Sequence, residues 1–135
     1  MTGRFAVFVV SLTTLICSSA FGQSNLPSKL SGKWSIPSGR VSNEMSLKFD
    51  ETRTKATLTV WSASSDCNIK DAPATVEVKG DKVLIVVDPA YSNLCRRDIS
   101  LELTKSTDSD AYEGELRQGG QAANSFPVLK VKVSP

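Results

Sequence analysis

Histidine is absent from this 135-residue chain, and cysteine, tryptophan and tyrosine are scarce, with three, two and two copies. Without histidine, the commonest general base is missing, as are Ser-His and Cys-His nucleophilic pairs. No Cys-x-x-Cys pair or phosphate-binding glycine loop occurs. The acidic pairs Asp108/Asp110 and Glu113/Glu115 fit a polar turn and the solvent face of a strand. We therefore predict a protein that is not an enzyme and holds no metal or cofactor.

The sequence also has no large excess of positive or negative charge. Sixteen Lys and Arg residues stand against fourteen Asp and Glu residues, a net charge of +2. Nucleic-acid binding normally requires a clear basic footprint, so we expect no nucleic-acid partner. The apolar fraction of 40% supports one domain with a modest core.

The beginning of the chain has the order of a secretory signal peptide. A short basic start, Met1–Arg4, precedes an apolar run, Phe5–Ile16, and then the small-residue segment Cys17–Gly22. The run is shorter than the roughly 20 residues that span a bilayer, so we expect no membrane span in the mature chain. We predict a signal peptide over residues 1–22 and a secreted or periplasmic protein.

Two positions fit the signal-peptidase cut, one after Ala20 and one after Gly22. The polar residues 23–29 that follow are predicted to be an exposed N-terminal lead-in. The remaining residues, 30–135, are predicted to form the folded domain, which we expect to be monomeric.

Cleavage of the leader removes Cys17 and leaves Cys67 and Cys95. Two cysteines in an exported domain predict one disulfide. The bond would close a loop of 28 residues. In the chain-entropy model, such a closure contributes about 3 to 4 kcal/mol.

Period-2 alternation of apolar and polar residues dominates the rest of the sequence and predicts β-strands without a helix. We predict eight strands: Leu30–Ile36, Glu44–Phe49, Thr54–Trp61, Ala74–Lys79, Lys82–Val87, Asp98–Lys105, Ala111–Arg117 and Phe126–Val133. The links are short enough for antiparallel neighbours. The expected fold is all-β, an eight-stranded antiparallel meander closed into a small barrel, with a two-sheet sandwich as the alternative. Lys82–Val87 is apolar on both faces, which predicts the most enclosed strand.

The links alternate between short and long. The long ones are Pro37–Asn43, Ser62–Pro73, Asp88–Arg97 and Gln118–Ser125. In a meander, alternate links share one end, so we expect the long loops, and both cysteines, at one mouth. Functional residues concentrate on loops held by a rigid scaffold.

Four residues are candidates for binding at that mouth: Trp61, Tyr91, Arg40 and Arg96. Exposed aromatic rings beside polar groups can stack on sugars or anchor a protein partner. The alternative is that Trp61 caps the barrel mouth and Tyr91 packs on the disulfide. For the arginines, the alternative is a solvated loop.

The start of the first predicted strand, Leu30-Ser31-Gly32-Lys33-Trp34, resembles the Gly-x-Trp opening of calycin barrels, which include lipocalins, avidins and bacterial inhibitors of secreted metalloproteases. Tyr112-Glu113 with Leu116, and Leu129-Lys130, are similar to the closing strands of the inhibitor family. The resemblance covers about 15 residues. It implies a calycin-like barrel whose Trp34 closes the bottom of the core. It departs at Cys67, because the inhibitors carry their first cysteine soon after the tryptophan strand.

These patterns predict a small exported binding protein without enzymatic activity. A barrel of about eight strands holds at most one small ligand, and its abundant Leu, Val and Ile predict a filled interior and surface binding. The expected partner is an exported protein, a small ligand or a glycan. One alternative is a secreted protease inhibitor that inserts the segment Gln23–Leu26 into a protease cleft. Another is a carbohydrate-binding module.

Overall fold

The computed structural model describes residues 25–36, 42–61, 68–91, 98–119 and 128–135. These residues form eight strands, β1 (Lys29–Ser35), β2 (Ser42–Phe49), β3 (Lys55–Val60), β4 (Ile69–Lys79), β5 (Lys82–Val87), β6 (Asp98–Lys105), β7 (Tyr112–Gly119) and β8 (Leu129–Ser134). Each strand pairs with the next in antiparallel fashion, and β8 pairs with β1 to close a barrel. The predicted all-β meander and its barrel closure are confirmed. No helix in the described residues is long and apolar enough to cross a membrane.

Alternation along each strand sends one set of side chains into the barrel. On β2 the inward residues are Met45, Leu47 and Phe49, as predicted, and all three are buried. All eight strands contribute inward residues to one core cluster, in which Leu58 and Leu101 are fully inaccessible. Burial of a Leu or Val side chain contributes about 1.5–3 kcal/mol, so this cluster is the main stabilising element of the fold.

Gly32 allows β1 to approach β8 closely. A Cβ atom at this position would overlap the carbonyl oxygen of Lys132, and it would also lie 2.8 Å from the Cα of Val133. Glycine in a strand often marks such a close approach or a tight bend of a barrel. The glycine of the Gly-x-Trp opening is therefore required by the pairing that closes this barrel.

The two ends of the barrel differ. The links after β1, β3, β5 and β7 share one end, called the long-link end below. The links after β2, β4 and β6 lie at the opposite end, called the tight-turn end, where β1 begins and β8 finishes. At this end Gly80 adopts a φ of 61° in the two-residue turn between β4 and β5, a conformation that glycine adopts without strain.

Another tight turn, the link after β2, is held by the carboxylate of Asp50. Its Oδ1 accepts hydrogen bonds from the backbone N–H groups of Thr54 and Lys55 at 3.1 and 3.2 Å. The Thr52 hydroxyl donates to Oδ2 at 2.8 Å. These bonds, with that of Thr52 the largest, hold the pKa of Asp50 below its usual value.

The segment before β1 is not exposed throughout, and the prediction of an exposed lead-in is wrong at one residue. Asn25 and Ser28 are exposed, but Leu26 retains only 2% of its accessible surface and belongs to the core cluster. The backbone carbonyl of Leu26 accepts a hydrogen bond from Arg53 Nε at 3.0 Å. Leu26 thus covers the core at the tight-turn end.

Strand β4 begins five residues earlier than predicted, at Ile69 instead of Ala74. The register passes from Leu58 opposite Ala72 to Val60 opposite Ile69, so β4 carries one extra residue and forms a bulge. Asp71 occupies this bulge with a φ of 47°. The bulge explains the failed prediction, because it breaks the period-2 pattern while keeping both Ile69 and Ala72 buried.

Strand β5 is not the enclosed strand that its apolar sequence predicts. Its inward residues, Val83, Ile85 and Val87, are buried, but Leu84 is only partly buried and Val86 keeps 40% of its surface exposed. The barrel has a single sheet layer, so no second layer of described residues covers the outer face of β5.

Candidate binding site on the outer wall

The predicted mouth lies at the long-link end, because the four long links follow alternate strands of a closed meander. Four predicted residues on these links, Arg40, Cys67, Cys95 and Arg96, lie outside the described residues. The disulfide and the role of the two arginines therefore stay predictions, as does the signal peptide at residues 1–22.

Tyr91 is a packed residue. It is partly buried against the core cluster, and its hydroxyl oxygen accepts a hydrogen bond from the backbone N–H of Lys70 at 3.1 Å. Its own backbone N–H donates to the carbonyl of Asp88 at 2.9 Å. Tyr91 therefore links the end of β5 to the start of β4, and its hydroxyl oxygen takes part in this structural role.

Trp61 does not cap the barrel mouth. It follows β3 at the long-link end, where its backbone N–H donates to the carbonyl of Glu44 at 3.0 Å. This bond continues the β2–β3 pairing and fixes the position of the residue. Alternation places the indole on the outer face, where half of it, 50%, is exposed. An indole that is so accessible on a fixed backbone is a suitable contact for a ligand.

A shallow groove of about 440 Å³ runs from Trp61 across the outer face of three strands. Its lining, called the Trp61 groove below, consists of Lys29, Ser31 and Lys33 from β1, Glu44 and Ser46 from β2, and Thr59 and Trp61 from β3, together with Gly32 and Met45. Neighbouring strands lie about 4.8 Å apart, so the groove is about 10 Å wide.

The register arranges the lining in two parallel rows. In one row, Lys33 lies opposite Glu44, and the backbone of Glu44 is bonded to that of Trp61. In the next row, Ser31 lies opposite Ser46, and Ser46 lies opposite Thr59. A row of charged groups that ends in the indole therefore runs beside a row of hydroxyl groups.

Within the part of the chain that the structure describes, the charged side chains of the groove form no ion pair, unlike those on the neighbouring wall. Among the described residues, neither Lys33 nor Glu44 makes an ion pair within 4.0 Å or a side-chain hydrogen bond. On β7 and β8, by contrast, Lys132 pairs with Glu113 at 3.4 Å and Lys130 pairs with Glu115 at 2.5 Å. The side chains of Lys33 and Glu44 are thus free to contact a ligand.

The bulge in β4 supports the groove from the side. The hydroxyl of Thr59 accepts a hydrogen bond from the backbone N–H of Asp71 at 3.1 Å and donates to the Asp71 carboxylate at 3.3 Å. These two bonds orient Thr59 at the floor of the Trp61 groove. Bulges often occur where a strand has to aim a functional side chain.

A second depression, of about 520 Å³, lies across β1, β8 and β7 and includes Lys33, Glu115 and Lys130. Its carboxylates are already compensated. Glu115 accepts from Lys130 at 2.5 Å and from Arg117 at 2.9 Å, and these bonds, with that of Lys130 the larger, lower the pKa of the Glu115 carboxyl. A ligand here would have to displace existing ion pairs, so the Trp61 groove is the better candidate.

Two buried donors face the barrel interior near the long-link end. Trp34 and Asn43 lie opposite each other on β1 and β2, and the Trp34 Nε1 and Asn43 Nδ2 atoms find no hydrogen-bond partner among the described residues. Such unpaired groups cost about 1–3 kcal/mol each. Trp34 lies at the end opposite Leu26, and the closing role that the calycin resemblance implies for it stays a prediction.

The burial of Leu26 also bears on the inhibitor hypothesis, in which the segment Gln23–Leu26 enters a protease cleft. Leu26 belongs to the core and its carbonyl is bonded to Arg53. Insertion through Leu26 would require this residue to leave the core. Only the part of the segment that precedes Leu26 could enter a cleft without disturbing the barrel.

Sequence reasoning identified Trp61 but missed the polar residues beside it. Lys33, Glu44, Ser46 and Thr59 occupy outward positions of predicted strands, where polar residues are ordinary. Only the register between strands brings them together, and no local pattern encodes that register. No group of three or more His, Cys, Asp or Glu residues in the described ranges could hold a metal ion.

The chain was compared with known families, with curated proteins and with solved structures. No family model, no curated protein and no solved structure matches it.

Proposed function

We propose that this chain is an exported, non-enzymatic binding protein and that the Trp61 groove is its ligand-binding surface. The observation that carries the proposal is the half-exposed indole of Trp61 beside two charged side chains, Lys33 and Glu44, that pair with no described residue. An exposed tryptophan and charged side chains without ion-pair partners do little to stabilise a small domain, but together they provide contacts for a ligand.

The barrel supports this role by keeping the groove rigid. All three strands of the groove are paired on both sides, because the barrel is closed. Leu30, Leu47 and Leu58, which point inward from the same strands, are fully buried. A preformed surface loses little conformational entropy when a ligand binds, which favours affinity from a small contact area.

The absence of histidine from the sequence favours binding over catalysis. The charged groups of the groove are one carboxylate, Glu44, and the ammonium groups of Lys29 and Lys33. A two-carboxylate glycosidase needs a second acid about 5 to 9.5 Å away across a cleft. The groove has a single carboxylate in its lining, so its composition is that of a recognition surface.

The test uses mature protein immobilised in three forms, namely wild type, Trp61→Ala and Val86→Ala. Val86 is the matched control, because it is the other large apolar side chain exposed in the described residues and lies on β5, away from the groove. Each form is exposed to the exported fraction of the native organism. We expect the wild type and Val86→Ala to retain the same component.

Loss of an aromatic anchor costs about 2 kcal/mol of binding free energy, so Trp61→Ala should weaken retention about thirtyfold. Thermal melting of all three forms checks that the barrel is intact. Absence of retention by the wild type, or equal retention by Trp61→Ala, would refute the proposal.

A further inference from the structure

We infer that the ligand of the Trp61 groove is a carbohydrate. This inference rests on the proposed function, since it assigns a chemical class to the ligand of the same site. The three properties that carry it are the single apolar ring in the groove, the mixture of donors and acceptors around that ring, and the small size of the surface.

A protein partner would require more apolar surface than this wall provides. Stable protein interfaces bury about 800 Å² on each side and have an apolar core of several anchor residues. Among the described residues, only Trp61 and Val86 are large apolar side chains with high exposure, and Val86 lies on β5. The groove itself thus has one aromatic anchor and no apolar patch around it.

The polar lining suits a ligand rich in hydroxyl groups. A hydroxyl is both a donor and an acceptor, so a surface that recognises several of them needs both kinds of partner. Lys33 offers donors only, the Glu44 carboxylate offers acceptors only, and the hydroxyl of Ser46 offers both. The Thr59 hydroxyl already donates to Asp71, so towards a ligand it can only accept. Because Lys33 and Glu44 have no partner in the described residues, a sugar would not have to break an ion pair.

The arrangement of these groups also suits a sugar ring. A pyranose has an apolar face of C–H groups and polar edges, and it therefore matches a site with an aromatic face next to hydrogen-bonding groups. The backbone bond between Trp61 and Glu44 keeps the indole beside the charged row, and the hydroxyls of Ser31, Ser46 and Thr59 follow in the next row. A sugar stacked on the indole would reach Glu44 and Thr59 with its edges.

The experiment repeats the retention assay after chemical treatment of the exported fraction. Periodate cleaves the carbon–carbon bond between neighbouring hydroxyl groups, so it destroys most sugar rings. The fraction is treated with periodate, or with iodate as the mock reagent, and the reagent is removed before contact with immobilised wild type. We expect periodate to abolish the Trp61-dependent retention and iodate to leave it unchanged.

The outcomes separate the two proposals. Retention that survives periodate would overturn the carbohydrate inference and leave the binding function standing. Absence of retention from the untreated fraction would instead refute the binding function.

A second measurement uses purified neutral oligosaccharides on a glycan array. It compares variants of the protein to test which residues contact the glycan. We expect Glu44→Gln to lower the affinity for the bound glycan about tenfold, because a hydrogen bond to a charged acceptor becomes a weaker bond to a neutral amide oxygen. Val86→Ala should bind as the wild type does. In a Trp34→Phe background, Trp61 is the only tryptophan, and its fluorescence should change on titration with that glycan. An unchanged spectrum at saturating glycan would also overturn the inference.

Discussion

Replacement of Leu26 by alanine tests whether the segment before β1 is part of the fold. The side chain is 2% exposed and belongs to the core cluster at the tight-turn end. Leu-to-Ala changes in cores cost about 2–5 kcal/mol, and the amount depends on how far the surroundings can close the cavity. Leu26 lies before the first strand, where the chain can relax more easily than inside the sheet. We therefore expect a loss of about 2–3 kcal/mol in the free energy of unfolding.

For a domain of this size, 1 kcal/mol lowers the melting temperature by about 4 °C, so Leu26→Ala should melt roughly 8–12 °C below the wild type. Differential scanning calorimetry measures the change, and urea unfolding at constant m-value confirms that stability alone has changed. The matched control is Asn25→Ala, since Asn25 is exposed and should have no effect. A shift of the Leu26→Ala melting temperature equal to that of the control would refute the assignment of Leu26 to the core.

A shorter truncation separates the effect of this segment on stability from a role in protease inhibition. Removal of residues 23–25 leaves Leu26 in place and should change neither the melting temperature nor retention at the Trp61 groove. If that truncation abolished inhibition of a secreted metalloprotease at unchanged stability, the inhibitor hypothesis would gain support over the proposed function.

Four further predictions concern the barrel itself. Gly32→Ala should lose about 1–3 kcal/mol of stability in urea unfolding, because its Cβ would overlap the backbone of β8, and Ser31→Ala is the control. Glu115 has a folded pKa below its ordinary value of 4.5, so its stabilising effect is present above that pH and is lost as the pH falls through the folded pKa. Glu115→Gln should therefore lower the midpoint of urea unfolding at about pH 7. The difference between the midpoints at about pH 7 and about pH 3 should be smaller in this variant than in the wild type. Asn43→Leu removes a buried amide nitrogen with no partner among the described residues, so its melting temperature should be unchanged or higher. A drop of several degrees would show that the nitrogen has a partner. The double change of Cys67 and Cys95 to serine should cost about 3–4 kcal/mol if the disulfide forms, and mass spectrometry without reduction checks the bond directly.

The sequence was sufficient to predict the number of strands, their order and the inward residues, because one alternating pattern repeats along the whole domain. Prediction failed where the chain departs from that pattern. Asp71 adds a residue to β4 and so hides five residues of strand, from Ile69 to Pro73, within an apparent loop. Leu26 is a single apolar residue in a polar segment, and no periodicity indicates that it turns into the core.

The candidate site was predictable only in part. An exposed aromatic residue at a strand end indicated Trp61. The composition of β5 suggested an enclosed strand, but the barrel leaves Val86 in solvent, since burial on the outer face requires a second layer that the described residues do not supply. The position of Lys33 opposite Glu44 across β1 and β2 depends on the register, which follows from the closure of the whole sheet.

The described chain enters and leaves the barrel at the same pole, since β1 begins and β8 finishes at the tight-turn end. An affinity tag, dye or surface linker placed after Pro135 would project from that pole. A sensor chip that captures the protein by such a linker would present the opposite pole, with Trp61, to the flowing sample. The topology of the barrel thus determines how the captured molecule is oriented on a solid support, and no residue on the outer face of the barrel has to be changed.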